Sequence, residues 1–300
     1  MKRLTNKQSG RMVTALLLTP YVLLFALFIA IPVIAAVVLS FTQFNTIEFP
    51  KFNGISNYIN LFTNDTVFMQ KVLPNTIIYA VFVGFGGYVL SFFLAWSLAQ
   101  LTKWPRTVLT IIFYSPSMTG SVLISAVWSV IFNGDKTGYL NYFLLKLNIL
   151  EEPVQWLQSS EYLLPITIIV SLWSSMGLGF LSMLAGITNI NKEIYEAGYI
   201  DGVENRWQEI KYLTIPEVMP QMLFGAIMAI VGTFQASSVG VALSGSNPTP
   251  NYSAQLIGSH IEDVAYLRYE MGYAAAISVV LLIFVRILTK AAEDAFGDKD

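Results

Sequence analysis

The chain has 300 residues, with 17 Lys and Arg, 19 Asp and Glu, a single His and no Cys, for a formal net charge of −2. Charged residues make up 12% of it, about half the roughly 25% usual in soluble domains, while 55% are hydrophobic and the mean hydropathy is +0.59. This composition argues against a water-soluble globule, and it excludes a disulfide framework, a thiol nucleophile, a Cys or His metal cluster and a basic footprint for nucleic acid.

The positions of the scarce charges mark out the elements. Arg11 to Glu48, Lys71 to Lys103, Arg106 to Asp135, Glu161 to Lys192 and Glu217 to Glu262 bound runs without Asp, Glu, Lys or Arg, and each run holds a spanning helix of about 20 residues. The last run, Glu270 to Arg286, is shorter; it reaches spanning length if the helix continues to Leu288 and Arg286 snorkels. The expectation is an all-α polytopic membrane protein with six transmembrane helices near 13–41, 72–101, 108–132, 163–188, 220–243 and 271–288. Lys2 and Arg3 ahead of the first run would also suit a cleaved signal peptide, but such apolar regions are only about 7–15 residues long. With a cytoplasmic N-terminus, the outer segments hold Lys51, Lys71, Lys136, Lys146 and Arg268, leaving the other twelve of the 17 Lys and Arg inside. The positive-inside bias therefore puts both termini, residues 1–12 and 289–300, in the cytoplasm.

Prolines and glycines recur within the runs: Pro20, Pro32, Gly84, Gly86, Gly87, Pro116, Gly120, Gly177 and Gly179. Tight helix packing is one reading, and kinks lining a path is the other. Ser174, Ser175, Gln235 and Tyr273 are the candidate path residues, with Asn75, Tyr79, Ser115 and Ser117 as further polar positions. No ionisable residue lies in the middle of a run, which argues against an autonomous ion-coupled carrier. No Gly-Lys dipeptide exists for a phosphate loop, and His260, expected in an external loop, offers no base to a serine.

Residues 189–220 between the fourth and fifth runs carry Lys192, Glu193, Glu196, Asp201, Glu204, Arg206, Glu209, Lys211 and Glu217, a quarter of the chain's charges. Asn191 suits the N-cap of a helix from Lys192, and Gly202 the C′ position that stops it. Asn205 with Gln208 forms a capping box for a second helix, expected to end by Ile215 ahead of Pro216. Ile194, Ala197, Ile200, Val203, Trp207, Ile210 and Leu213 give the pair an apolar side. Such a pair could pass force from a cytoplasmic partner to the membrane helices, or lie on the lipid surface.

At these residues the sequence resembles a known family. Glu196-Ala197-Gly198, Asp201-Gly202-Val203, Trp207, Leu213 and Ile215-Pro216 resemble the EAA loop of permease subunits of binding-protein-dependent ABC importers, with Gly198 and Val203 in place of alanines. The stretch Pro20 to Phe44, then Gly54-Ile55-Ser56-Asn57-Tyr58, Asn75-Thr76 and Met271-Gly272-Tyr273, is similar to the first of the two maltose-type carbohydrate permeases. The resemblance implies a permease domain over 13–288 in a bacterial-type plasma membrane, moving a sugar or oligosaccharide delivered by an extracytoplasmic binding protein. It implies a second permease and two ATP-binding subunits as partners, with ATP and Mg bound there and no cofactor on this chain, which would not itself be an enzyme. Glu196, Ala197, Gly198, Asp201, Gly202, Trp207 and Pro216 would form the ATPase-coupling loop. A same-superfamily permease for a phosphorylated polyol and a stand-alone channel or scaffold are the other readings.

Overall fold

The structure, a computed structural model, describes residues 6–235 and 238–297. Helix α1 (Val13–Leu39) is followed by a short antiparallel hairpin, β1 (Thr42–Gln43) with β2 (Lys51–Phe52), in which Thr42 lies opposite Phe52. Then come α2 (Phe68–Ala99), α3 (Lys103–Met118), α4 (Ser121–Ile131), α5 (Tyr139–Lys146) and α6 (Leu163–Asn189). The second half holds α7 (Lys192–Ile200), α8 (Arg206–Glu217), α9 (Met219–Gln235), α10 (Ser238–Ser244), α11 (Ile257–Glu262) and α12 (Met271–Phe296).

By length and composition α1, α2, α6 and α12 can each cross a membrane, and the count reaches six if the bent pairs α3–α4 and α8–α9 are each one span. The expected single helix at 108–132 is therefore broken. Its halves meet at 101°, because the turn at Ser115–Met118 contains Pro116 and the chain runs extended through Thr119 and Gly120. α12 continues eight residues past Leu288 to Phe296, where Arg286 pairs with Glu293 at 3.0 Å.

Elsewhere than at Pro116, proline bends the backbone less than the sequence implies. A helical proline lacks the N–H that would bond four residues back, and its ring crowds that carbonyl. Ahead of Pro32, Pro74 and Pro216 the helix widens instead: Ile31 N–H bonds Ala26 O, Leu73 N–H bonds Phe68 O, and Ile215 N–H bonds Ile210 O. These five-residue steps absorb the missing donor and keep the helix continuous. Consequently α8 does not end by Ile215. It runs through Pro216 to Glu217, and the chain then turns 84° into α9.

The apolar interior forms seams along the helices. One seam joins Phe92, Ala95 and Leu98 of α2 to Met183, Leu184 and Ile187 of α6, with Ile210 of α8 and Met222 of α9. A second joins Leu61, Phe68 and Val72 to Ile257 of α11 and Ala274 and Ile277 of α12. Outside these seams Leu16, Leu17, Ile111, Val122 and Leu123 are exposed, as a chain surrounded by hydrocarbon requires.

Candidate functional site

The α7–α8 unit is assembled from local signals. Asn191 Oδ1 accepts the Glu193 N–H at 3.2 Å and starts α7. Val203 N–H bonds Gly198 O at 2.9 Å and Gly202 N–H bonds Tyr199 O at 3.4 Å, closing α7 with a Schellman turn. Gly202 sits there at φ +95, a conformation an L side chain resists. Asn205 and Gln208 form the expected capping box. The two helices touch where Gly198 is buried: a Cβ on it would lie 2.6 Å from Leu213 Cδ1, so a larger residue there would require Leu213 to shift.

Burial sorts this unit into two sides. Ile210 and Val218 enter the seam formed with α2 and α6. Glu209 is also buried; it accepts from Tyr199 Oη at 2.9 Å and pairs with Arg206, tying α7 to α8. Its role was not visible in the sequence, where it reads as one more charge on a polar face. On the outer side Glu196, Ala197 and Asp201 are exposed, and neither carboxylate has an ion-pair partner among the described residues. Beside them Ile200 is 87% and Trp207 70% exposed, with the Trp207 ring edge-on to Phe93 at 5.8 Å. Pro216 is exposed at the end of α8.

A cavity of about 300 Å³ lies between α2, α6 and α9. α6 has a break at Ser174 to Gly177, between helical stretches Leu163–Trp173 and Leu178–Asn189, and that break opens onto the cavity. Ser174 and Ser175 line it with Tyr79, Ser117, Ser171 and Thr233. Below the break α6 and α9 cross closely: a Cβ on Gly179 would come within 2.9 Å of Gly225 Cα. Tyr79 Oη and Ser171 Oγ are buried within reach of each other and have no further hydrogen-bond partner among the described residues.

The four candidate path residues do not form one site. Gln235 is exposed at the end of α9, and Tyr273 is buried near the start of α12, where its Oη donates to Asp65 Oδ2 at 2.7 Å. Tyr273 borders a separate polar recess of about 520 Å³ with Asn57, Asn60 and Glu270. His260 is not in a loop. It lies in α11, fully buried, with Nε2 3.8 Å from Asp65 Oδ2. Burial alone would raise the Asp65 carboxyl, but His260, the Phe68 N–H and the Tyr273 hydroxyl outweigh it and hold it at about 2. Asn75 is structural too, donating to Tyr252 O at 2.8 Å.

The chain is 30% identical over 272 residues to the arabinooligosaccharides transport system permease protein AraP of Bacillus subtilis (strain 168), spanning 90% of this chain and 84% of that one. It is 29% identical over 279 residues to the lactose transport system permease protein LacF of Rhizobium radiobacter, spanning 91% and 90%. Its fold is similar to that of a chain in a bacterial alginate ABC transporter solved with an alginate pentasaccharide-bound periplasmic protein (TM-score 0.79, 21% identity, covering 98% of this chain and 96% of that one). Residues 87–294, more than half of the chain, match the profile of the binding-protein-dependent transport system inner membrane component. The chain therefore belongs to that family of membrane permeases.

Proposed function

We propose that this chain is one of two permease subunits of an ATP-driven importer that carries a sugar or oligosaccharide, delivered by an extracytoplasmic binding protein, through the cavity between α2, α6 and α9. The chain crosses the membrane six times, as α1, α2, α3–α4, α6, α9–α10 and α12, with both termini cytoplasmic. Leu98 near the end of α2, Ile187 near the end of α6 and Phe296 at the end of α12 gather beside α8, which supports one shared cytoplasmic side. Arg106 lies there as well, donating to Ala99 O and Leu101 O at the end of α2.

The observation that carries the reading is the two-sidedness of α7–α8. Its exposed side offers Glu196, Ala197, Asp201 and Trp207, while Ile210 and Val218 are fixed among residues of α2 and α6, the helices that line the cavity. A rigid pair keyed this way converts a push from outside into movement of those helices. The pusher is an ATPase subunit holding ATP and Mg; a basic residue on it would face Glu196. The sugar assignment is supported by relatives named for arabinooligosaccharides and lactose. Co-purification tests the assembly: a tagged chain should bring down a second permease and an ATP-binding subunit, and solute-loaded binding protein should stimulate ATP hydrolysis. A chain that purifies alone and still conducts solute would contradict the proposal.

A further inference from the structure

We infer that the solute crossing this cavity is a short, uncharged saccharide, and that uronates and phosphorylated polyols are rejected here; the inference rests on the importer reading above. Among the described residues no Asp, Glu, Lys, Arg or His lines the cavity. A carboxylate or phosphate entering would meet no cation on this chain's wall, and an unpaired charge taken out of water is expensive. The break in α6 supplies no substitute. The carboxyl end of Leu163–Trp173 and the amino end of Leu178–Asn189 both meet it, so their partial charges oppose each other.

What the wall does supply is hydroxyls in both hydrogen-bonding senses. Ser174, Ser175 and Thr233 donate to carbonyls of their own helices, Ser175 to Leu172 O at 2.8 Å and Thr233 to Ala229 O at 2.7 Å, which leaves their oxygens free to accept. Tyr79 Oη and Ser171 Oγ are buried beside each other with no further partner among the described residues, so the pair has one donor left to offer. A polyol, each of whose hydroxyls both gives and takes, matches this set. The volume of about 300 Å³ stands at the small end of the roughly 300–1,000 Å³ of small-molecule sites, which fits a ring or two at a time.

The test is equilibrium dialysis of radiolabelled solutes against the purified complete importer without its binding protein, so that the binding protein's own selectivity does not enter. The probes are neutral disaccharides, including lactose, arabinobiose and cellobiose, each paired with its uronate counterpart, together with glycerol and glycerol 3-phosphate. A neutral disaccharide should bind and its uronate should bind at least about a hundredfold more weakly, as several such factors of ten follow from burying an unpaired charge. Tyr79→Phe and Ser171→Ala should each weaken the neutral ligand about fivefold or more without moving the thermal midpoint of the complex. A uronate or glycerol 3-phosphate held as tightly as its neutral partner overturns the inference and leaves the importer reading intact. Failure of the chain to recruit an ATPase subunit would overturn that reading itself, and with it this inference.

Discussion

Residues 192–217 carry nine charged side chains, seven of which, Glu196 and Asp201 among them, are exposed without an ion-pair partner among the described residues; the cavity between α2, α6 and α9 has none in its wall. In the first region exposed charge is cheap because water solvates it, so it can wait for a partner. In the second any charge would have to be matched, and hydroxyls carry the chemistry instead. On the proposed reading, the chain places fixed charge where an ATPase subunit would bind and withholds it where the solute would pass. Ile210 and Val218 join the two, since they belong to the loop by sequence and to the interior by packing.

The comparison can be broken most sharply at the exposed acid. Glu196→Lys should reduce solute-stimulated ATPase activity at least about tenfold, because like charges placed together across an interface cost several kcal/mol; normal stimulation in the reconstituted complex would remove Glu196 from the interface. Gly179→Leu attacks the other region. Its side chain has no room against Gly225 Cα, so it should destabilise the permease by about 1–3 kcal/mol or more, read as a lower thermal midpoint in detergent. Gly202→Asp forces a side chain onto φ +95 and should cost about 1–3 kcal/mol, mostly local to the loop and visible as faster proteolysis between α7 and α8. Glu209→Ala leaves Tyr199 and Arg206 without their shared acceptor; a loss of about 1–3 kcal/mol in melting experiments is expected, near the lower end because Arg206 can turn to solvent.

The smallest effect is set by pH. Asp65 is held at about 2, below the ordinary value of about 3.9, so its ionised form is the one that the fold favours. Its stabilisation is complete above about pH 4 and is lost as pH falls toward 2. The difference in thermal midpoint between the native chain and Asp65→Asn should therefore be flat from neutrality to about pH 5 and shrink below about pH 4. A difference that grows on acidification would show that burial of the carboxyl dominates its contacts.

Much of the loop was legible because capping is a matter of residues three or four apart. Asn191, Gly202 and the Asn205–Gln208 box all stand where their spacing puts them. The ends of helices were less legible. Pro216 looked like a stop, but the widened turn before it makes proline tolerable inside α8, and that adjustment is invisible in a pattern of apolar residues. Long-range contacts were not legible at all. Tyr273 reads as a polar residue in an apolar run, and only folding brings it to Asp65, 208 positions away, and puts His260 beside them. Likewise Asn141, which the sequence pattern does not single out, is buried and binds Val154 and the Trp156 indole, knitting the segment after α4 together.

The absence of cysteine from the chain makes the most direct test possible. Glu196→Cys introduces a single thiol on the exposed side of α7, and its rate of reaction with a water-soluble maleimide can be compared between the permease pair alone and the complex with its ATP-binding subunits. If α7–α8 is the face on which those subunits act, labelling should slow at least about tenfold in the complex while a control Glu48→Cys on the opposite side reacts equally in both. Equal reactivity of Glu196→Cys with and without the ATP-binding subunits would contradict the account.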